Sequence, residues 1–120
     1  MKHILIVDDS NDLQSLLAKV FKSEGYIVSQ AMDGEQAFKM LQTATPLPSA
    51  ILLDIMMPVM DGLEFKSKLN EDKKFSGIPV VWMSADANSL KKAEALGGEI
   101  YIQKPIVNLS ALISKIETLL

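Results

Sequence analysis

Five short apolar segments recur along the chain, separated by stretches with helical periodicity. They are residues 4–7, 26–28, 51–53, 80–83 and 100–102. Several of these segments are continuously apolar rather than alternating, which is typical of strands buried on both faces of a parallel sheet. The pattern therefore predicts five strands, each followed by a helix.

The predicted helices have apolar faces and recognisable ends. The apolar face of the first helix is formed by Leu13, Leu16, Leu17, Val20 and Phe21. Gly25 follows it, where a left-handed C-terminal residue is expected. Two further helix starts are predicted from capping pairs, Asp33 with Gln36 and Asp61 with Glu64.

The last two helices are predicted from sequence patterns of different clarity. Residues 87–96 have a helical pattern whose apolar face is mostly alanine, and apolar residues from Leu109 onward predict a final helix that runs to Leu120. Right-handed crossovers between the strands would place helices on both faces of a five-stranded parallel sheet, a doubly wound α/β fold. The 120 residues fit a single domain, residues 1–120.

Polar side chains follow four of the five predicted strands. Asp8 and Asp9 come directly after the first strand, Asp54 after the third, Ser84 after the fourth and Lys104 soon after the fifth. In an open parallel sheet, ligands bind outside the carboxyl ends of the strands. We therefore expect these five side chains to meet at one edge of the sheet.

The residue types in this set suit a magnesium ion and a phosphoryl group. Three adjacent carboxylates cannot all stay ionised without a cation, and a hard ion such as Mg2+ prefers oxygen ligands. Lys104 offers a point charge and Ser84 a hydroxyl donor to phosphate oxygens. An aspartate such as Asp54 acts as a nucleophile when it forms an aspartyl phosphate.

The composition is that of an ordinary globular protein. Apolar residues make up 48% and charged residues 22% of the chain, and the formal net charge of −3 disfavours a broad nucleic-acid-binding surface. Cysteine is absent, which excludes disulfides and thiolate metal sites and is compatible with a reducing cytoplasm. Neither a signal peptide nor a membrane span is predicted, because every apolar segment is too short.

The motifs and their order resemble those of a known family, the receiver domain of two-component response regulators. The resemblance covers essentially the whole chain, through the segments ILIVDD, LLDIMMPVMDG, VVWMSA and YIQKPI. It implies a flavodoxin-like fold with strand order 2-1-3-4-5. It also implies that Asp54 is the phosphoacceptor, while Asp8 and Asp9 bind Mg2+ together with Asp54 and the backbone carbonyl of Met56.

The resemblance also assigns roles to the remaining site residues. Ser84 corresponds to the switch hydroxyl, Lys104 to the lysine that contacts the phosphoryl group, and Tyr101 to the aromatic residue that changes rotamer with the hydroxyl. The Lys104–Pro105 bond is expected to be cis and to aim the lysine at the site. Side chains at Met56 and Asp86 would influence the water that attacks the phosphoryl group.

The partners implied by the resemblance are signalling proteins. The phosphoryl donor would be a phosphohistidine on a sensor histidine kinase or a histidine phosphotransfer protein, and the domain would hydrolyse the phosphoryl group itself. A downstream effector protein or output domain would read the switch, with a phosphorylation-dependent dimer among the outcomes. The chain could be free-standing or part of a longer regulator or hybrid kinase, and the start at Met1 favours an N-terminal position.

Simpler explanations exist for each residue alone. Asp8 and Asp9 could cap the first helix, Asp54 could be a turn residue, Ser84 could start a helix and Lys104 could be a solvated loop lysine, but their joint placement at four strand ends argues against this. For Tyr101 both alternatives stay open, a packing residue on an apolar strand or an aromatic residue of the switch. Two other functions remain open. One is an interaction module that works without phosphorylation, and the other is a small Mg2+-dependent aspartyl phosphatase.

Overall fold

A computed structural model of the chain describes residues 2–120, in which five strands and five helices alternate. The strands are β1 (His3–Val7), β2 (Ile27–Ala31), β3 (Ala50–Asp54), β4 (Val80–Ser84) and β5 (Ile100–Gln103). The helices are α1 (Asn11–Ser23), α2 (Gly34–Thr43), α3 (Gly62–Glu71), α4 (Ala87–Glu94) and α5 (Leu109–Glu117). The predicted alternation is confirmed.

All five strands are parallel and form one sheet in the order β2-β1-β3-β4-β5. Every residue of β1, β3 and β4 is buried, as their continuous apolar sequences predict. The two edge strands are partly exposed. Within residues 2–120, no helix is long and apolar enough to cross a membrane.

A hydrophobic core lies on each face of the sheet. One core packs α2, α3 and α4 against the sheet and contains Trp82, Phe65 and Leu41. The other packs α1 and α5 against the opposite face and contains Phe21, Leu17 and Ile116. Because helices cover both faces, polar groups reach solvent mainly at the ends of the strands, which is where the site is expected.

The helix starts agree with the two capping predictions and exclude the simpler explanation for Asp8 and Asp9. Asp33 and Asp61 are the N-caps of α2 and α3, and each carboxylate accepts a hydrogen bond from the backbone N–H three residues later. The cap of α1 is Ser10, whose hydroxyl accepts from the N–H of Leu13. The alternative that Asp8 or Asp9 caps α1 is therefore wrong, and Asp8 Oδ1 instead accepts a hydrogen bond from the N–H of the cap residue Ser10.

The helix ends differ slightly from the sequence-based predictions. Gly25 has a φ of 89°, the left-handed conformation expected just after α1. The prediction that the last helix runs to Leu120 is wrong, since α5 ends at Glu117. The N–H groups of Leu119 and Leu120 bond to carbonyls three residues earlier, so the last turn tightens and the α-helix stops.

Candidate functional site

The three predicted acidic residues meet at the carboxyl end of the sheet. Asp8 and Asp9 follow β1, and Asp54 is the last residue of β3, the strand next to β1. One carboxylate oxygen from each lies within 4.8 Å of the others. Asp8 and Asp54 are buried, while Asp9 is exposed at the mouth of the cluster.

Lys104 brings the positive charge of the site from the far edge of the sheet. Its Nζ donates to Asp8 Oδ2 at 2.6 Å and lies 3.3 Å from Asp54 Oδ1. Its backbone N–H donates to the carbonyl of Ser84 at 2.8 Å, and the Lys104–Pro105 bond is cis, as predicted. Lys104 is therefore not a solvated loop lysine.

The close packing of these charges changes their proton affinities. Burial, followed by the charge of Asp8, raises the pKa of Asp54 from 3.8 to about 6, although Lys104 opposes the shift. For Lys104, burial alone lowers the pKa, but the hydrogen bond to Asp8 and the charges of Asp54 and Asp8 outweigh burial and raise it. A cation among the carboxylates would favour the ionised form of Asp54.

The site's geometry agrees with comparisons to known proteins. Residues 4–117 match the response regulator receiver domain family.

The chain belongs to this family. It is 34% identical to the transcriptional regulatory protein CpxR of Escherichia coli over 122 residues, which include all of this chain and 50% of CpxR. Family membership confirms the prediction of a phosphoaccepting signalling domain rather than an enzyme that converts a separate substrate. The chain spans half or less of the first curated relatives it matches, with 42% and 50% covered in two of them.

Two solved receiver structures have the same fold. The response regulator TrrA of Thermotoga maritima, in complex with Mg2+ and beryllium fluoride, is 29% identical with a TM-score of 0.86, and both chains are covered completely. The Borrelia burgdorferi complex of CheX, CheY, beryllium fluoride and Mg2+ gives 31% identity and a TM-score of 0.84, over 98% of this chain and 87% of that one. The predicted flavodoxin-like fold is confirmed.

Gln14 of this receiver supports the acidic cluster, and sequence reasoning missed it. Its side-chain amide, on the buried face of α1, lies within hydrogen-bonding distance of the carbonyl oxygens of Ile6 (3.0 Å), Asp8 (3.1 Å) and Ala31 (2.7 Å). Its Oε1 accepts a bond from Gln30. The available signal was a polar residue in the apolar stripe of an amphipathic helix, and such residues are usually retained for their hydrogen bonds.

A Gln14→Leu variant is expected to lose about 2–3 kcal/mol of unfolding free energy, because the buried carbonyls at the ends of β1 and β2 lose their shared donor. Gln14→Glu should also be destabilised, since a carboxylate keeps the shape but cannot donate. Urea unfolding of both variants would test this, with the exposed Ser15→Ala as control. Stability equal to that of wild type in both would contradict the supporting role.

Ser84 and Asp86 occupy the loop after β4. Ser84 is buried, and its hydroxyl oxygen accepts a hydrogen bond from the backbone N–H of Asp86 at 3.1 Å. The Asp86 carboxylate caps α4, accepting from the N–H of Asn88 and the hydroxyl of Ser89. Asp86 therefore has a structural role in this receiver as the cap of α4, and its influence on hydrolysis stays a prediction.

The loop after Asp54 passes very close to the backbone of the site. A Cβ at Gly62 would collide with the carbonyl oxygen of Asp54 and lie 2.9 Å from Cα of Ile55, so only glycine fits there. The N–H of Gly62 donates to the carbonyl of Ile55 at 2.8 Å. Met56 lies in this loop and is 65% exposed; the role of its carbonyl as a metal ligand stays a prediction.

Tyr101 lies outside the acidic cluster. Its side chain is partly exposed on β5. Its hydroxyl donates to the carbonyl of Gly98 at 3.5 Å, and Gly98 lies just before the amino end of β5. The structure therefore brings Asp8, Asp9, Asp54 and Lys104 together, while Tyr101 is held in an outward position. The single histidine, His3, is buried and contacts Pro46 and Ser29, which is a structural role.

Proposed function

We propose that residues 1–120 form one receiver domain in which Asp54 accepts a phosphoryl group. The observation that carries this proposal is the position of the Asp54 carboxylate at the end of the central strand β3, within 4.8 Å of the acidic pair and 3.3 Å from the Nζ of Lys104. A nucleophile, a metal-binding group and a phosphate-binding cation thus share one edge of the sheet. Positioning and charge neutralisation are most of what phosphoryl transfer requires.

The acidic cluster fits a magnesium ion. The available donors are carboxylate oxygens within 4.8 Å of one another, which is the chemistry that Mg2+ prefers. We propose that Asp8, Asp9, Asp54 and the backbone carbonyl of Met56 hold the ion. Bound there, Mg2+ would neutralise charge on the phosphoryl oxygens. Both solved receivers described above contain Mg2+ and beryllium fluoride.

The residues of the chain have distinct tasks in this transfer. A carboxylate oxygen of Asp54 attacks the phosphorus atom of a phosphohistidine, forming an O–P bond while the P–N bond breaks and the imidazole keeps the electron pair. Lys104 Nζ, oriented by Asp8, donates to a phosphoryl oxygen, and the Ser84 hydroxyl donates to another. Hydrolysis reverses the modification when water attacks phosphorus, releasing inorganic phosphate and restoring the Asp54 carboxylate.

The proposed partners follow from this chemistry. A sensor histidine kinase or a histidine phosphotransfer protein would supply the phosphohistidine in the cytoplasm. The phosphoryl group would favour the state in which Ser84 and Lys104 bond to it, and Tyr101 would move with Ser84. A downstream effector protein, an output domain or a second copy of the chain would recognise that state.

The test of this proposal is the intact mass after incubation with acetyl phosphate. We expect one phosphoryl group per chain in the presence of Mg2+, none in excess EDTA, and fragmentation that locates the group on Asp54. The interaction module that works without phosphorylation would be favoured by three negative results together. The chain would take up no phosphoryl group from acetyl phosphate, take up none from a phosphohistidine protein, and bind no Mg2+. Steady turnover of an added phosphomonoester would instead favour the aspartyl phosphatase.

A further inference from the structure

The only tryptophan in the chain links the switch strand to a turn at the opposite end of the sheet. Trp82 is completely buried on β4, two residues before Ser84. Its indole N–H donates to the carbonyl of Gly97 at 2.9 Å. Gly97 lies in the turn between α4 and β5, so this bond ties the end of α4 to β4.

Two successive glycines allow this turn to lie directly on the indole ring. Gly97 has a φ of 87°, a conformation that other residues rarely adopt. A Cβ on Gly98 would overlap the ring, with Cδ1 of Trp82 only 2.6 Å away. The turn and the indole therefore fit each other closely, and a larger residue at position 98 would force one of them to move.

Tyr101 is the immediate neighbour of Trp82 in the sheet. The two residues are register partners on β4 and β5. Ile100 and Ile102 contribute to the core beneath α1 and α5, so Tyr101 between them faces the α4 side, as Trp82 does. The Tyr101 hydroxyl bonds to the carbonyl of Gly98, the residue that packs on the indole.

We propose that Trp82, Gly97 and Gly98 form a latch that holds Tyr101 in its outward position, and that Trp82 is thereby a positioning residue for the switch. This inference rests on the proposed role of Tyr101 in the receiver function. The turn that the indole anchors supplies the carbonyl that accepts the hydrogen bond from the tyrosine hydroxyl. This bond opposes inward rotation of Tyr101 toward Ser84.

The latch can be weakened from either side. Trp82→Phe removes the N–H that bonds to Gly97 and the part of the indole ring against which Gly98 packs. Gly98→Ala places a methyl group where the indole lies and displaces the turn. Ile51→Val is the matched control, because it removes one methyl group from the same core without touching the turn. All three variants are expected to lose stability, but only the first two should release Tyr101.

The position of Tyr101 can be read by fluorine NMR after incorporation of 3-fluorotyrosine. The chain has two tyrosines, and the buried Tyr26 serves as an internal reference. In metal-free protein without a phosphoryl donor, we expect the H2O/D2O isotope shift of the Tyr101 resonance to fall by about half in Trp82→Phe and in Gly98→Ala, as the ring turns inward. The Tyr26 resonance and the Ile51→Val spectrum should stay as in wild type.

The inference is overturned if the Tyr101 isotope shift is unchanged in both latch variants while their stability falls as in Ile51→Val. This result does not depend on phosphorylation, so the latch and the proposed function can fail separately. When acetyl phosphate and Mg2+ are added, Trp82→Phe should label about two- to five-fold faster than Ile51→Val, because more of the protein is already in the inward state. Equal labelling rates would show that the latch does not control the switch.

Discussion

An Asp54→Asn variant is expected to take up no phosphoryl group from acetyl phosphate and Mg2+ under conditions that label wild type. The carboxamide lacks the charged oxygen nucleophile, and the other carboxylates do not replace it. Asp8 is buried and bonded to Lys104, while Asp9 is exposed at the mouth of the cluster. Intact mass with and without Mg2+ measures the result. A Mg2+-dependent adduct on the variant would place the acceptor elsewhere.

The same variant is expected to be more stable than wild type when metal is absent. The folded pKa of Asp54 is about 6 against 3.8 for the free side chain, so the folded state binds more protons between these pH values. The wild type therefore loses stability as the pH rises through this window. Above the window it is fully destabilised by the ionised carboxylate of Asp54. After allowance for solvent screening the cost is about 1–2 kcal/mol, or roughly 3–8 °C in Tm.

Thermal unfolding in EDTA between pH 4 and pH 8 would test this expectation. The difference between Asp54→Asn and wild type should be absent near pH 4, grow as the pH rises to about 6 and be complete above that pH. Asp12→Asn, which removes an exposed carboxylate at the start of α1, is the control and should show no such dependence. Added Mg2+ should stabilise wild type more than the variant. A constant difference across the pH range would argue against repulsion at Asp54.

A Lys104→Met variant is expected to lose both stability and reactivity. Asp8 is completely buried, and Lys104 at 2.6 Å is its counter-charge, so removal of the lysine leaves a buried carboxylate unpaired. The metal-free protein should lose about 2–4 kcal/mol of unfolding free energy. Phosphoryl transfer to Asp54 should slow by about 10²–10³, because a charged donor to the phosphoryl oxygens is missing.

Mg2+ separates these two effects. A cation among the carboxylates would balance the negative charge of Asp8. Saturating Mg2+ should therefore restore much of the stability of Lys104→Met, but it should not restore the rate at which the variant is phosphorylated. Urea unfolding with and without Mg2+, together with timed intact-mass measurements, would give both quantities. Lys91→Met, which changes an exposed lysine on α4, is the matched control. Labelling of Lys104→Met at the wild-type rate would mean that the lysine is only structural.

The sequence-based prediction succeeded where a feature depends on neighbouring residues. Apolar segments, helical periodicity and capping pairs indicated the five strands and five helices, and the capping residues Asp33 and Asp61 are where their spacing predicted. Local pattern alone does not choose among neighbouring residues that are all suitable helix caps. Asp8, Asp9 and Ser10 are such a set, and the tertiary fold uses Ser10 as the cap while Asp8 and Asp9 contribute to the site.

Other features depend on contacts between distant parts of the chain. Asp8 and Lys104 are 96 residues apart in sequence, yet their side chains form a hydrogen bond. The carbonyls of Ile6 and Ala31, both within reach of the Gln14 amide, lie on two different strands, and the partner of the Trp82 indole is a turn beyond α4. Local composition carries no information about such partners, because each is chosen by strand order and register.

The alternation of strands and helices and the types of residue at each strand end follow from the amino-acid sequence alone, because periodicity and capping are local properties. With the rule for parallel sheets, these features were enough to bring Asp8, Asp9, Asp54 and Lys104 to one edge. The arrangement of their charges, in contrast, depends on the folded chain. Burial depth and the distances between carboxylates and lysine set the pKa of Asp54 and the pairing of Asp8, and both arise from packing across the whole sheet.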